Sequence, residues 1–202
     1  IGAFDTAVNY TENGAAVRLD TNATVTDVDS ANFDTGKLTV RLTANAEAGD
    51  RLEIRNQGMA AGWIGISGAN VTFGGTAIGS FTGGTGTTAL VVSLNDKATP
   101  TAVQALLRNV TYRSDWDNPS AAPRTVRVTL TDGDGGTSNQ PTKTINVAAV
   151  NDAPVIGAFD TAVNYTENGA AVRLDTNATV TDVDSANFDT GKLTVRLTAN
   201  AE

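Results

Sequence analysis

Oxygen is the metal-binding chemistry this chain offers in quantity. It carries 22 Asp and Glu residues but no His and no Cys, so imidazole bases, thiol nucleophiles and the usual zinc, copper and haem ligand sets are missing together. The carboxylates fall in short motifs: Glu12 in Tyr-Thr-Glu-Asn-Gly, Asp27 and Asp29 in Thr-Asp-Val-Asp-Ser, Asp132 and Asp134 in Thr-Asp-Gly-Asp-Gly-Gly, and Asn151-Asp152 ahead of Ala153-Pro154. On an extended backbone or turn, Asp-x-Asp places two carboxylates on the same side, and Ca²⁺ takes roughly six to eight oxygens of this kind. A lone Asp-x-Asp is ordinarily a turn former or a solvated loop end. Here the order of the motifs along the chain points to a cation site.

A net charge of −8 disfavours nucleic acid and anionic membrane surfaces as partners and suits a carrier of hard cations. There is no run of about 18 apolar residues to span a bilayer and no signal-peptide pattern, so an internal, soluble segment is expected. Paired carboxylates could serve a glycosidase. Each candidate lies in a turn motif with a use as a cation ligand, however, and no enzyme is expected.

The elements that must position these groups read as strands. Apolar content of 40 %, aromatics at 5 % and 20 glycines fit a strand-and-turn protein. Residues 5–20 read as two extended pieces broken by a turn at Glu12-Asn13-Gly14, and residues 23–30 as a strand ending in Asp27-Val28-Asp29. Alternation is clearest over 37–43, with Leu38, Val40 and Leu42 on one face. Residues 51–55 repeat it with Leu52 and Ile54 inward, and so do Val71 and Phe73. A Gly/Thr-rich hairpin spans 74–88 around Ile78 and Phe81, and a strand covers 89–94. Thr99-Pro100 starts a short helix, with Val103, Leu106 and Leu107 at helical spacing. Three further strands, 109–113, 124–131 and 143–150, turn Val110 and Tyr112, then Val126, Val128 and Leu130, then Ile145 and Val147 inward. The expected fold is an all-β, two-sheet β-sandwich with one short helix. Trp63 and Trp116 are ordinarily core residues in such a sandwich; exposed, with Asp115 and Asp117 beside Trp116, they would suit a carbohydrate platform.

Residues 156–202 repeat residues 1–47 letter for letter. The chain therefore reads as one complete repeat, 1–155 with a linker at 149–155, and the first third of the next, 156–202, in a tandem array. Pro154 fixes φ and restricts Ala153, which stiffens the link. Units joined so briefly give a rod if the chain enters and leaves each at opposite poles. Residues 156–202 alone are too few to bury a stable core, and pairing of their strand edges with a partner chain is expected to order them.

The motif set resembles the cadherin repeat, in the divergent form found in giant bacterial surface adhesins of the RTX type. Cadherins place a Glu-Asn some fifteen residues after an Asp-x-Asn-Asp-Asn linker, then a Thr-Asp-Ala-Asp-Ser strand end, and Thr-Asp-Gly-Gly near the repeat's close. Here Asn151-Asp152-Ala153-Pro154 is followed by Glu167-Asn168 and Thr181-Asp182-Val183-Asp184-Ser185, and the full repeat carries Thr131-Asp132-Gly133-Asp134-Gly135-Gly136. The resemblance implies a calcium site at the junction from Asn151, Asp152, Glu167, Asp182 and Asp184, and a matching half-site from Glu12, Asp27, Asp29 and Asp132. Ala149 and Ala153 replace two linker ligands of the family and its Asp-Arg-Glu motif has no match, so one or two ions per junction are implied rather than three. The implied role is an extracellular, cell-surface extender whose partners are neighbouring repeats, with glycans or surface proteins bound through other domains in adhesion or biofilm formation. The alternative is a carbohydrate- or protein-binding sandwich module.

Overall fold

The computed structural model describes residues 1–199 and divides into two compact units, Ile1–Val150 and Asn151–Glu202. The division falls within the linker read at 149–155.

The first unit is a β-sandwich-like all-β fold. Its strands are β1 (Ala7–Thr11), β2 (Val17–Arg18), β3 (Lys37–Ala44), β4 (Asp50–Ile54), β5 (Ile64–Ser67), β6 (Asn70–Phe73), β7 (Thr76–Thr82), β8 (Leu90–Leu94), β9 (Val110–Ser114), β10 (Arg124–Thr131) and β11 (Thr142–Ala148), with the helix α1 (Pro100–Leu107) between β8 and β9. Eight strands form one sheet in the order β1-β11-β10-β3-β8-β7-β6-β5, and three form another, β2-β9-β4. The pairing is antiparallel throughout except that β1 runs parallel to β11.

Period-two alternation sets what is buried. Leu38, Val40 and Leu42 of β3, Leu52 and Ile54 of β4, and Val126, Val128 and Leu130 of β10 are all in the core. Tyr10 and Tyr112 meet edge to face with ring centroids 5.3 Å apart, a preferred aromatic geometry. Thr99 caps α1, its side chain accepting from Ala102 N, and Pro100 opens the helix, whose buried face is Ala102, Val103, Leu106 and Leu107. Gln104 and Arg108 then hold the 22–25 segment, Gln104 Oε1 accepting Val25 N and Arg108 Nε donating to Ala23 O.

Two details differ from the sequence reading. Residues 23–30 form no strand in the first unit beyond a bridge from Thr24 to Gly2. Asp20 Oδ1 takes the N–H groups of Asn22 and Ala23, and Asp27 Oδ1 takes those of Asp29 and Ser30, so side-chain turns displace the ladder. The other is β5, which the reading passed over. Its Gly-rich surroundings gave no alternating run, and its outer edge is closed by Asn56 and Gln57, whose side chains accept from Ile66 N and Ile64 N.

In the second unit, β12 (Val155–Gly157) and β13 (Thr179–Thr181) form an antiparallel pair. The core of buried apolar residues lies wholly within the first unit.

Candidate metal centre

The first unit separates its acidic motifs between the two ends of the large sheet. Antiparallel pairing sets the start of β3 beside the end of β10, so Asp27 and Asp29, in the loop before β3, lie at the same end as Asp132 and Asp134, which follow β10. Ile1 is at this end too, its backbone nitrogen donating to Asn139 Oδ1 at 2.8 Å. A cavity of about 200 Å³ there is lined by Ile1, Asp27, Phe33 and Asp132 among others. Glu12 lies at the other end. It follows β1, whose last residue Thr11 pairs with Ala148, and Glu12 Oε2 accepts the Val150 N–H at 2.7 Å. Grouping Glu12 with Asp27, Asp29 and Asp132 is therefore corrected. The parallel β1–β11 pair carries Glu12 to the end where the chain leaves the unit, and the long 12–37 excursion returns the Asp-x-Asp to the end where it begins.

At the incoming end the carboxylates interact directly. Asp27 is held below the ordinary carboxylate value first by a hydrogen bond with the Asp29 side chain, then by the backbone N–H groups of Asp29 and Ser30. Asp29 is pushed up by that same shared bond and by the charge of Asp27, with a smaller contribution from Asp132. Two carboxylates whose charges act on each other titrate as a coupled pair, and a cation binding between them competes with protons. Asp132 Oδ1 accepts from Asp134 N at 2.8 Å and Gly136 N at 2.9 Å, closing the Thr-Asp-Gly-Asp-Gly-Gly turn.

The second unit repeats the pattern and adds the linker residue. Asp182 Oδ1 accepts from Asp184 N at 3.3 Å and Ser185 N at 3.0 Å, and Asp152 N donates to Asp184 Oδ2 at 3.2 Å. The Asp184 side chain, as first cause, lowers Asp182. Asp152, Asp182 and Asp184 thus converge, whereas Asn151 turns its amide to Asp152 O and Glu167 is exposed and makes none of these bonds.

The donor chemistry fits a hard cation. Glu12 Oε1, Asp152 Oδ2 and Asp184 Oδ1 are buried carboxylate oxygens with no hydrogen-bond partner, and a buried acceptor left unmet is costly. No group of three or more His, Cys, Asp or Glu among the described residues is assembled to hold a metal. Supply of oxygens and closure of a coordination shell are separate matters here.

The strongest electrostatics lie elsewhere, in two buried networks that the sequence reading missed. Arg124, fully buried, donates to Asp50, Glu47 and the carbonyls of Ser120 and Ala122, while Tyr112 Oη donates to Asp50 Oδ1 at 2.6 Å. Lys143 donates to Leu19 O and to Asp20 Oδ2 and stands 5.2 Å from the Phe4 ring centre. A signal existed: Arg124 is in phase with Val126 and Val128, and Lys143 with Ile145. A charge on an inward face needs a buried partner. Trp63 and Trp116, for which the core is the ordinary place, are instead partly exposed at 47 % and 42 %.

No family model matches this chain, and neither a curated protein nor a solved structure does. No helix among the described residues is long and apolar enough to cross a membrane.

Proposed function

We propose that this chain is a structural extender repeat of a bacterial cell-surface adhesin, stiffened by calcium and serving to project distal binding domains. The observation that carries the reading is the polarity of the first unit. The chain begins at the end bearing Asp27, Asp29 and Asp132 and leaves beside Glu12, so units joined in tandem add length. The exact repetition of residues 1–47 supports the array, and the cadherin-like order of motifs supports the cation.

Asp152, Asp182 and Asp184 would hold calcium in the linker region, and Asp27, Asp29 and Asp132 would do so at the incoming end. When bound, the ion supplies charge neutralisation and a rigid set of oxygen contacts. Binding to the folded state alone stabilises it by mass action, so melting in millimolar Ca²⁺ should exceed melting in EDTA by several degrees, with Mg²⁺ a poor substitute. Identical melting curves in the two buffers would remove the calcium assignment. Small-angle scattering of several repeats should give a rod with calcium and a looser string without it.

The half-exposed Trp63 and Trp116 favour a second reading, a glycan-binding module. Binding of a glycan array by the chain, lost in Trp63→Ala or Trp116→Ala, would put that reading first.

A further inference from the structure

The eight-stranded sheet contains no acidic residue, although the chain has 22 and a net charge of −8. None of β1, β3, β5, β6, β7, β8, β10 and β11 carries an Asp or Glu. Its basic residues divide by face. Arg124 and Lys143 point inward and meet Asp50 and Asp20. Lys37, Arg41 and Arg127 lie at the alternate, outward positions of β3 and β10, and among the described residues they form no ion pair.

Arg41 and Arg127 are direct cross-strand partners. Like charges so placed, with Cβ atoms about 4.5–5.5 Å apart, destabilise a sheet. Arg127 Nε is also buried without a hydrogen-bond partner, and an unmet buried donor is costly. An anion held between the two guanidinium groups removes both costs, and a carboxylate matches the guanidinium fork with its two oxygens.

The surroundings select the kind of anion. Thr142 stands beside Arg127 on β11, and Thr39 and Thr129 face each other one step along the strands, so hydroxyls flank the pair. β3, β8, β10 and β11 contain no aromatic residue. A protein partner would want an aromatic or apolar anchor, and a single-stranded nucleic acid would want rings on which to stack. A polysaccharide bearing carboxylates supplies both the anion and hydroxyls to meet the threonines. The acidic motifs beyond the strand ends do not cancel the attraction. Arg41 lies four residues along β3 from Lys37, about 13 Å at about 3.4 Å per residue, and screening at physiological ionic strength acts over about 8 Å.

We infer that the outer face of the eight-stranded sheet binds an acidic polysaccharide, with a uronate carboxylate seated between Arg41 and Arg127 and sugar hydroxyls on the flanking threonines. The site is separate from Trp63 and Trp116 and from the calcium ligands, so it gives the side of an extender a contact of its own.

The test is isothermal titration of the 202-residue chain with an oligogalacturonide, in EDTA to prevent calcium from bridging carboxylates. A neutral maltooligosaccharide of equal length, polyglutamate and single-stranded DNA are titrated alongside. Binding of the oligogalacturonide in preference to all three, weakening as NaCl is raised, is expected. Arg41→Thr and Arg127→Thr should each weaken it at least about tenfold, with the melting temperature held or raised because the like-charge pair is gone. Trp63→Ala and Trp116→Ala should leave it unchanged, which separates this site from a tryptophan platform. Absence of binding, equal binding of the neutral sugar, tighter binding of polyglutamate or DNA, or indifference to both arginine replacements overturns the inference.

Discussion

Glu12, 4 % exposed, joins the Val150 N–H through Oε2 and leaves Oε1 buried without a partner. One carboxylate thereby ties the turn after β1 to the segment that follows β11 and keeps an oxygen in reserve. Glu12→Ala should destabilise the first unit by about 1–3 kcal/mol in EDTA, because the Val150 N–H loses a charged acceptor, measurable by urea denaturation. If Glu12 also serves a cation, the variant should lose part of the calcium-induced rise in melting temperature. An undiminished rise would assign the oxygen a purely structural place.

Tyr112 should govern stability in alkali. Burial, followed by the hydrogen bond to Asp50 and the Asp50 charge, pushes its phenol far above the ordinary value. A group raised in the folded state contributes stability that is complete below the unfolded value, about 10 for tyrosine, and is lost as pH rises beyond it. Melting temperature should therefore fall steeply above about pH 10. Tyr112→Phe should flatten that fall while costing about 1–3 kcal/mol at neutral pH, since Asp50 loses a donor.

Asp20 should act in the opposite direction. Burial alone would raise it, but the N–H groups of Asp5 and Asn22, then Lys143 and the Ala23 N–H, outweigh burial and hold it below the ordinary carboxylate value. A depressed carboxylate contributes stability above its unfolded value, about 3.9, and loses it as pH falls through the folded one. Acid unfolding should begin below about pH 4 and be blunted in Asp20→Asn. Asp20→Ala strands the buried Lys143 ammonium and should cost about 3–5 kcal/mol, read by chemical denaturation.

The Asp27–Asp29 pair predicts proton release. Because Asp29 is raised by its neighbour, it holds its proton more tightly than an ordinary carboxyl, and a cation binding there competes with that proton. Isothermal titration with calcium in buffers of different ionisation enthalpy should give heats whose dependence on the buffer grows as the pH is lowered from neutral toward the ordinary carboxylate range. Asp29→Asn should abolish the dependence. Buffer-independent heats at the lower pH would show that calcium does not bind this pair.

Gly49 supports the ring of Trp116: a Cβ on Gly49 would stand 2.5 Å from Trp116 Cγ. Since Trp116 is already partly exposed, Gly49→Ala should swing the indole outward rather than unfold the unit. Tryptophan emission should shift to the red with the melting temperature little changed.

Much of the fold was legible because its signals are local. Alternation marks β3, β4 and β10, Thr99-Pro100 marks α1, and Asn13-Gly14 marks the turn after β1. The Asp20 and Asp27 turns are local too, which is why Asp175 and Asp182 rebuild them in the second unit, where no apolar residue among the described ones is buried. The candidate site was legible only as an inventory of oxygens.

Sequence by itself determined the ligand chemistry, through the absence of His and Cys and the ordered carboxylates, together with the repeat and the inward faces. Tertiary structure decided which carboxylates share an end of the sheet. Glu12 is nearer in sequence to Asp27 than Asp132 is, yet the parallel pairing of β1 with β11 carries Glu12 to Val150, and the antiparallel pairing of β3 with β10 brings Asp132 to Asp27. Strand direction in a sheet is a long-range property, fixed by which apolar faces must be covered together, and no spacing along the chain encodes it.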